Sequence, residues 1–381
     1  MLATGFTAPY ASASSFTIDS NSLFVGDQGS QSVKLVNVQT GATSNFATTN
    51  INGSRGIIFA GGSSAMLVAN QFPGTNMPGD IAKYDPSTGN FLGFLVPQSD
   101  PNAPFAPRGI VLSPNHSVLY VADFQTNSTA TSGLIRTYNA NNGHSIASYS
   151  AQALLARFVD NFSPRGIVFG PDGLLYISVF DTVNSLTGYI LTFNPSTSAF
   201  NILVRSDALN NYDNFAGGAG MHRPEGIVFD PSGNLWVTSF CARDKQGDCS
   251  NTFPTPQTSS TNVDKIMEFD PIHGNLINTI PLETSTKVPR TYAQVILFGP
   301  NLDSTNENLY VPIQTTGELR VYETSQAPFT FTSVAQSGSP LVQPWYLSFR
   351  GTDPSTLAYH PLRLSALSSS PLHWWAQPFQ P

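Results

Sequence analysis

Three arginines occupy one place in a recurring phrase. Arg55-Gly56-Ile57-Ile58-Phe59, Arg108-Gly109-Ile110-Val111-Leu112 and Arg165-Gly166-Ile167-Val168-Phe169 share the order arginine, glycine, three apolar residues. A fourth copy, Glu225-Gly226-Ile227-Val228-Phe229, puts a carboxylate there. Weaker copies put Gln294, Trp345 and Ser14 at the same place. A planar guanidinium offers a fork of donors to carbonyl, carboxylate or enolate oxygens. Several held close together repel unless such a partner joins them. The chemistry open to them is to orient an oxygen-rich organic molecule and to stabilise negative charge developing on its oxygens. The competing role is structural, with Asp123, Asp181 and Glu225 pairing the arginines to fix the register of the elements that carry them.

Those elements are short strands. In the clearest copy Ile167 to Phe169 leads through Pro171-Asp172-Gly173 to Leu174 to Ile177. Proline presets the turn and glycine accepts a positive backbone angle. Seven such hairpins start near residues 15, 56, 109, 166, 226, 295 and 346. The first is Phe16-Thr17-Ile18-Asp19 with Leu23-Phe24-Val25. The last is Pro344 to Phe349 with Leu357-Ala358-Tyr359. Third strands follow, ending in turns such as Asp85-Pro86-Ser87-Thr88-Gly89 and Asp270-Pro271-Ile272-His273-Gly274, then fourth strands such as Phe91 to Val96. A repeat of four antiparallel strands is the blade of a β-propeller.

The expected fold is all-β, one propeller over residues 1–381. Seven blades are favoured, with Leu362 to Leu367 as a third strand and Thr4 to Tyr10 latching the ring. The alternative is six, the C-terminal hairpin then overlaying the first blade. The tail 361–381, with His373-Trp374-Trp375, is expected to dock on the body.

In such a ring the first strands line a central channel, and the arginine position lies at one mouth. The second strands end at that mouth, bringing Asp27, Asn70, Gln71, Asp123, Phe124, Asp181, Phe240 and Gln314. His222 and Tyr292 stand just ahead of their strands. The candidate catalytic residues are therefore Arg55, Arg108, Arg165, Glu225 and His222. The candidate substrate-binding residues are Asn70, Gln71, Asp123, Phe124, Phe240, Tyr292, Gln294, Gln314 and Trp345. The long insertions 201–222 and 241–262 are candidate rims. Serine-hydrolase elbows, zinc-protease motifs and phosphate-binding glycine loops are missing.

A net charge of −7 argues against nucleic acid as a partner. No apolar run approaches the roughly 18 residues of a membrane span. A small molecule is the expected partner, and oligomeric state is left open. Charged residues make up 11%, against about 25% in an average soluble chain, so polarity rests on Ser, Thr, Asn and Gln. With the sequons at Asn52, Asn115, Asn127 and Asn161, this composition suggests a secreted protein or one of the secretory lumen. Met1 to Gly5 lacks the apolar stretch of a signal peptide, so any signal would already have been removed. Cys241 and Cys249 are then expected to form a disulfide.

The phrase Arg-Gly-Ile-Val-Phe-x-Pro-x-Gly, with a later Tyr/Phe-Asp-Pro-x-x-Gly, covers most of the chain. It resembles the NHL-repeat and gluconolactonase/regucalcin-like propellers. That resemblance implies a metal-dependent lactonase, with calcium or another divalent cation on Glu225, Asn70 and Asp123. The low-charge, sequon-bearing composition also resembles, in general type, secreted fungal propellers that catalyse hetero-Diels–Alder coupling. That likeness implies a cofactor-free pericyclase and carries over no particular residue. The expected function is such a cofactor-free, ring-forming enzyme on a carbonyl-rich substrate. The lactonase and a non-catalytic binding scaffold are the alternatives.

Overall fold

A computed structural model describes residues 18–60, 64–181, 187–207, 212–214, 220–242, 249, 262–283, 290–302 and 307–360. The strands form six antiparallel sheets. Taken from the axis outwards, blade two is Ser54–Ala60, Ala65–Asn70, Asp80–Tyr84 and Phe91–Val96. Blade three is Pro107–Leu112, Val118–Asp123, Leu134–Asn139 and Ser145–Tyr149. Blade four is Pro164–Phe169, Leu175–Val179, Thr187–Asn194 and Ala199–Asp207, with the short Tyr212–Asp213 on its rim. Blade five is Arg223–Phe229, Leu235–Phe240, Lys265–Phe269 and Leu276–Pro281. Blade six is Leu297–Gly299, Asn308–Ile313, Glu318–Tyr322 and Phe331–Ala335. One helical turn, Gln152–Leu155, and a 3-10 turn, Ala156–Phe158, are the only helices among the described residues.

Blade one joins the two ends of the chain. Its inner strand is Pro344–Phe349, followed by Ser22–Asp27, Ser32–Asn37 and Thr43–Ala47. The pairing is antiparallel, with Leu23 opposite Phe349 and Val25 opposite Leu347. This corrects the favoured count of seven to six, because the first and last predicted hairpins are two halves of one blade. Ile18 and Asp19 are not a strand. The Asp19 side chain instead accepts from Asn21 N and Ser22 Oγ, turning the chain into Ser22. At the other end Asp353 Oδ1 accepts from Ser355 N and Thr356 N, and only a single bridge, Thr352 to Tyr359, replaces the expected second strand. Phe16, the proposed strands at 4–10 and 362–367, and the tryptophan-bearing tail lie outside the described residues.

The Ile-Val-Phe run alternates across the blade, and its last aromatic fills the seam to the preceding blade. Phe24 meets Phe59, Tyr120 meets Phe169, Tyr176 meets Phe229, Trp236 meets Phe298 and Tyr310 meets Phe349, all edge-on with centroids 4.9 to 5.9 Å apart. Each pair joins a second strand to the next blade's inner strand, and such pairs add about 0.5–1.5 kcal/mol beyond area burial. Leu112 takes the aromatic's place in the remaining seam.

Candidate functional site

The arginine–glycine pair is a β-bulge. Pairing with the second strand breaks register between Ser54 and Gly56, Pro107 and Ile110, Pro164 and Ile167, and Pro224 and Ile227. A bulge re-aims side chains, and here it places the arginine-position residue on the channel. The glycine is demanded by crowding at the axis. A Cβ on Gly166 would lie 2.4 Å from Glu225 O, and one on Gly226 would lie 2.6 Å from Val295 Cα. Amides displaced from the ladder find second-strand hydroxyls: Gly166 N donates to Ser178 Oγ at 2.8 Å and Gly226 N to Thr238 Oγ1 at 2.7 Å.

The six residues at the aligned position, one per blade, meet here: Arg55, Arg108, Arg165, Glu225, Gln294 and Trp345. They floor a cavity of about 410 Å³, walled by Phe124, Phe180, Arg223, Phe240 and Tyr292. That is the size of a small-molecule site. Below it the channel shrinks to about 20 Å³, with Leu357 among its lining residues. The segment carrying Leu357 is pinned under the ring, with Leu112 N donating to Pro354 O and Phe169 N to Ser355 O.

Cations and rings alternate around the rim. The guanidinium carbon of Arg55 lies 3.2 Å from the Trp345 ring centre. Arg108 lies 4.7 Å from Phe124, and Arg165 lies 4.3 Å from Phe124 and 4.0 Å from Phe180. Arg223 stands between Phe180 and Phe240 at 5.4 and 5.1 Å, and Arg290 lies 4.0 Å from Tyr292. Four guanidiniums line the cavity against two carboxylates, Asp181 and Glu225. Arg165 Nη1 approaches Glu225 Oε1 at 3.4 Å. Burial, then repulsion by Arg108, holds Arg55 well below its ordinary pKa; burial likewise lowers Arg108.

Of the sequence-predicted residues, Arg55, Arg108, Arg165, Glu225, Phe124, Phe240, Tyr292, Gln294, Gln314 and Trp345 line this mouth. Gln71 joins them through Arg55 Nε, which donates to its Oε1 at 2.6 Å. Asn70, Asp123 and His222 do not line it. Asn70 is fully buried, donating to Asn50 O and Asp80 and accepting from Asn52 N. Asp123 accepts from Phe105 N, Ala106 N and Arg136 Nε, and Asp27 likewise holds Val342 N and Gln343 N. These side chains tie the end of a second strand to the segment entering the inner strand. His222 is buried, its amide donating to Ser239 Oγ at 3.2 Å.

Phe180 and Arg223 line the mouth and were missed; Arg290 stands behind Tyr292. Phe180 leaves its strand one residue past the end, as Phe124 does, and that spacing was the available signal. Arg290 is fixed by Asp264 at 2.5 Å, a carboxylate that also accepts from Cys241 N and Tyr292 N. Cys241 and Cys249 are disulfide-bonded beside it.

The lactonase-type cation set does not fit. Of Glu225, Asn70 and Asp123 only Glu225 faces the cavity, and guanidiniums surround it. Among the described residues the sole close trio of ligand-type side chains is Cys241, Cys249 and Asp264, and two of those are joined in the disulfide. Of the sequons, Asn115 and Asn127 are exposed on turns and Asn52 is half-buried. The Asn161 side-chain nitrogen is engaged with Asp181. No described helix is long and apolar enough to cross a membrane.

Solved structures of several proteins share this fold. A chain of a nidogen/laminin complex is 14% identical, covering 86% of this chain and 97% of that one, with a TM-score of 0.55. Hydrazine synthase of Kuenenia stuttgartiensis is 12% identical over 83% of this chain and 80% of its own, at 0.52. A periplasmic gluconolactonase of Pseudomonas aeruginosa is 14% identical over 86% and 98%, at 0.50. At such identities the likeness is one of fold. No protein-family model matches the sequence, and no curated protein does.

Proposed function

We propose that the mouth is the active site of a cofactor-free enzyme that binds a carbonyl-rich organic molecule and promotes ring formation on it, in the manner of a hetero-Diels–Alder cycloaddition. The observation behind this reading is four guanidiniums facing one aromatic-walled cavity. Arg55, Arg108 and Arg165 would donate to a conjugated carbonyl and draw electron density from it, stabilising the charge that builds on its oxygen. Phe124, Phe180, Phe240 and Trp345 would hold the two reacting π systems face to face, where positioning supplies much of the acceleration. Cycloaddition consumes two π bonds and makes one carbon–carbon and one carbon–oxygen bond. Neither a proton nor an electron leaves, so no cofactor is required. The disulfide and the exposed Asn115 and Asn127 support placing this enzyme in a secretory setting.

Lactone opening is the second reading, supported by Glu225, a carboxylate beside Arg165 that could activate water. Mass spectrometry of products separates the two. Cycloaddition yields a product whose mass is the sum of its reactants, and lactone opening yields substrate plus water. Turnover is expected to survive exhaustive chelation. Loss with EDTA and recovery with calcium would transfer the assignment to a metal-dependent lactonase.

A further inference from the structure

Two like-charged groups in the mouth converge on one neutral oxygen. Arg55 Nη1 and Arg108 Nη1 both donate to Gln294 Oε1, the second at 3.3 Å. Gln294 Nε2 in turn donates to Gln314 Oε1 at 2.5 Å. The other acceptor of Arg55 is also an amide oxygen, that of Gln71. Among the described residues neither Arg55 nor Arg108 has a carboxylate within salt-bridge distance, and Arg108 Nε is buried without a hydrogen-bond partner. Guanidinium bonds to an anionic oxygen are shorter and stronger than those to a neutral amide. Burial depresses both pKa values; the charge of Glu225 already opposes this from beyond salt-bridge distance, and an incoming anion would oppose it further. Trp345 under Arg55 and Phe124 against Arg108 leave the flanks of this point apolar and flat.

We infer that the point where Arg55 and Arg108 converge is an oxyanion subsite for a ligand bearing a carboxylate, enolate or phenolate oxygen on a conjugated body, and that Gln294 Oε1 occupies it until the ligand displaces it. The inference rests on the mouth being the substrate site. Gln294 is then a specificity-determining residue, since its amide competes with the ligand oxygen and keeps Gln314 as a partner when displaced.

Calorimetric titration of the full chain with benzoate, and with neutral benzamide as control, tests this. Gln294→Leu removes the competing oxygen and is expected to tighten benzoate binding about three- to tenfold. Gln294→Glu places a carboxylate in the subsite and is expected to weaken it more than tenfold. Benzamide should respond little to either change. If Gln294→Leu fails to melt cooperatively, Gln294→Met takes its place. The idea is overturned if benzoate binds neither the parent nor the Leu protein, if both variants bind it as the parent does, or if removing the oxygen weakens benzoate. The titration reads binding alone. The expected pattern without ring-forming turnover removes the enzymatic reading and leaves the subsite; turnover without the pattern does the reverse.

Discussion

A chain ending at Gln343 is expected not to fold. It lacks the inner strand of blade one, Pro344–Phe349, so Ser22–Asp27 loses its only inner neighbour and turns an unpaired edge to the channel. Trp345, Tyr346, Leu347 and Phe349 are all buried. At about 1.5–3 kcal/mol per buried large apolar side chain, these four contribute roughly 6–12 kcal/mol. The whole stability of a typical native protein is about 5–15 kcal/mol. Phe349 also closes the seam against Tyr310 at 5.0 Å, and Leu357 lines the narrow channel. Thermal melting followed by circular dichroism should show no cooperative transition. A truncated chain melting near the full-length temperature would mean that blade one does not close in this way.

Replacing Asp123 with Ala should be the most damaging single substitution near the mouth, through stability rather than chemistry. Asp123 holds Ala106 N at 2.7 Å, Phe105 N at 3.1 Å and Arg136 Nε at 2.6 Å. Burial raises its pKa, opposed by Arg136, so the site carries a desolvation penalty as well as strong bonds. Removing the carboxylate leaves a poorly exposed guanidinium and two amides without acceptors. Breaking such a pair costs about 3–5 kcal/mol. Asn at this position keeps one acceptor and should lose less. Denaturant melts measure both. A loss under about 1 kcal/mol with abolished turnover would instead give Asp123 a direct role on the substrate.

The arginine ring was legible because the repeats align. A glycine, an isoleucine and two further apolar residues follow each of Arg55, Arg108 and Arg165, so equivalence in sequence became equivalence around the axis. Blade number was not legible in this way. Phe349 is as good an inner-strand aromatic as Phe169, and nothing local shows that its second strand lies at the other end of the chain. Asn70 and Asp123 misled for a different reason. A polar residue closing a second strand reads alike whether it faces the channel or binds the incoming backbone, and only the position of that backbone decides. Arg223 went unnoticed because Glu225 took the aligned place two residues on.

Turnover and melting of Arg165→Met, measured side by side, test the central claim most directly. Removing this guanidinium leaves Glu225 within the field of Arg55 and Arg108, so its charge is not orphaned. The expected result is a melting temperature close to the parent's and a rate about a hundredfold lower, the loss of one donor to a developing oxyanion. Lys at the same position should recover little of the rate, since it restores charge without the planar fork. A large fall in melting temperature with unchanged product formation per folded molecule would contradict the account and make the ring a structural device.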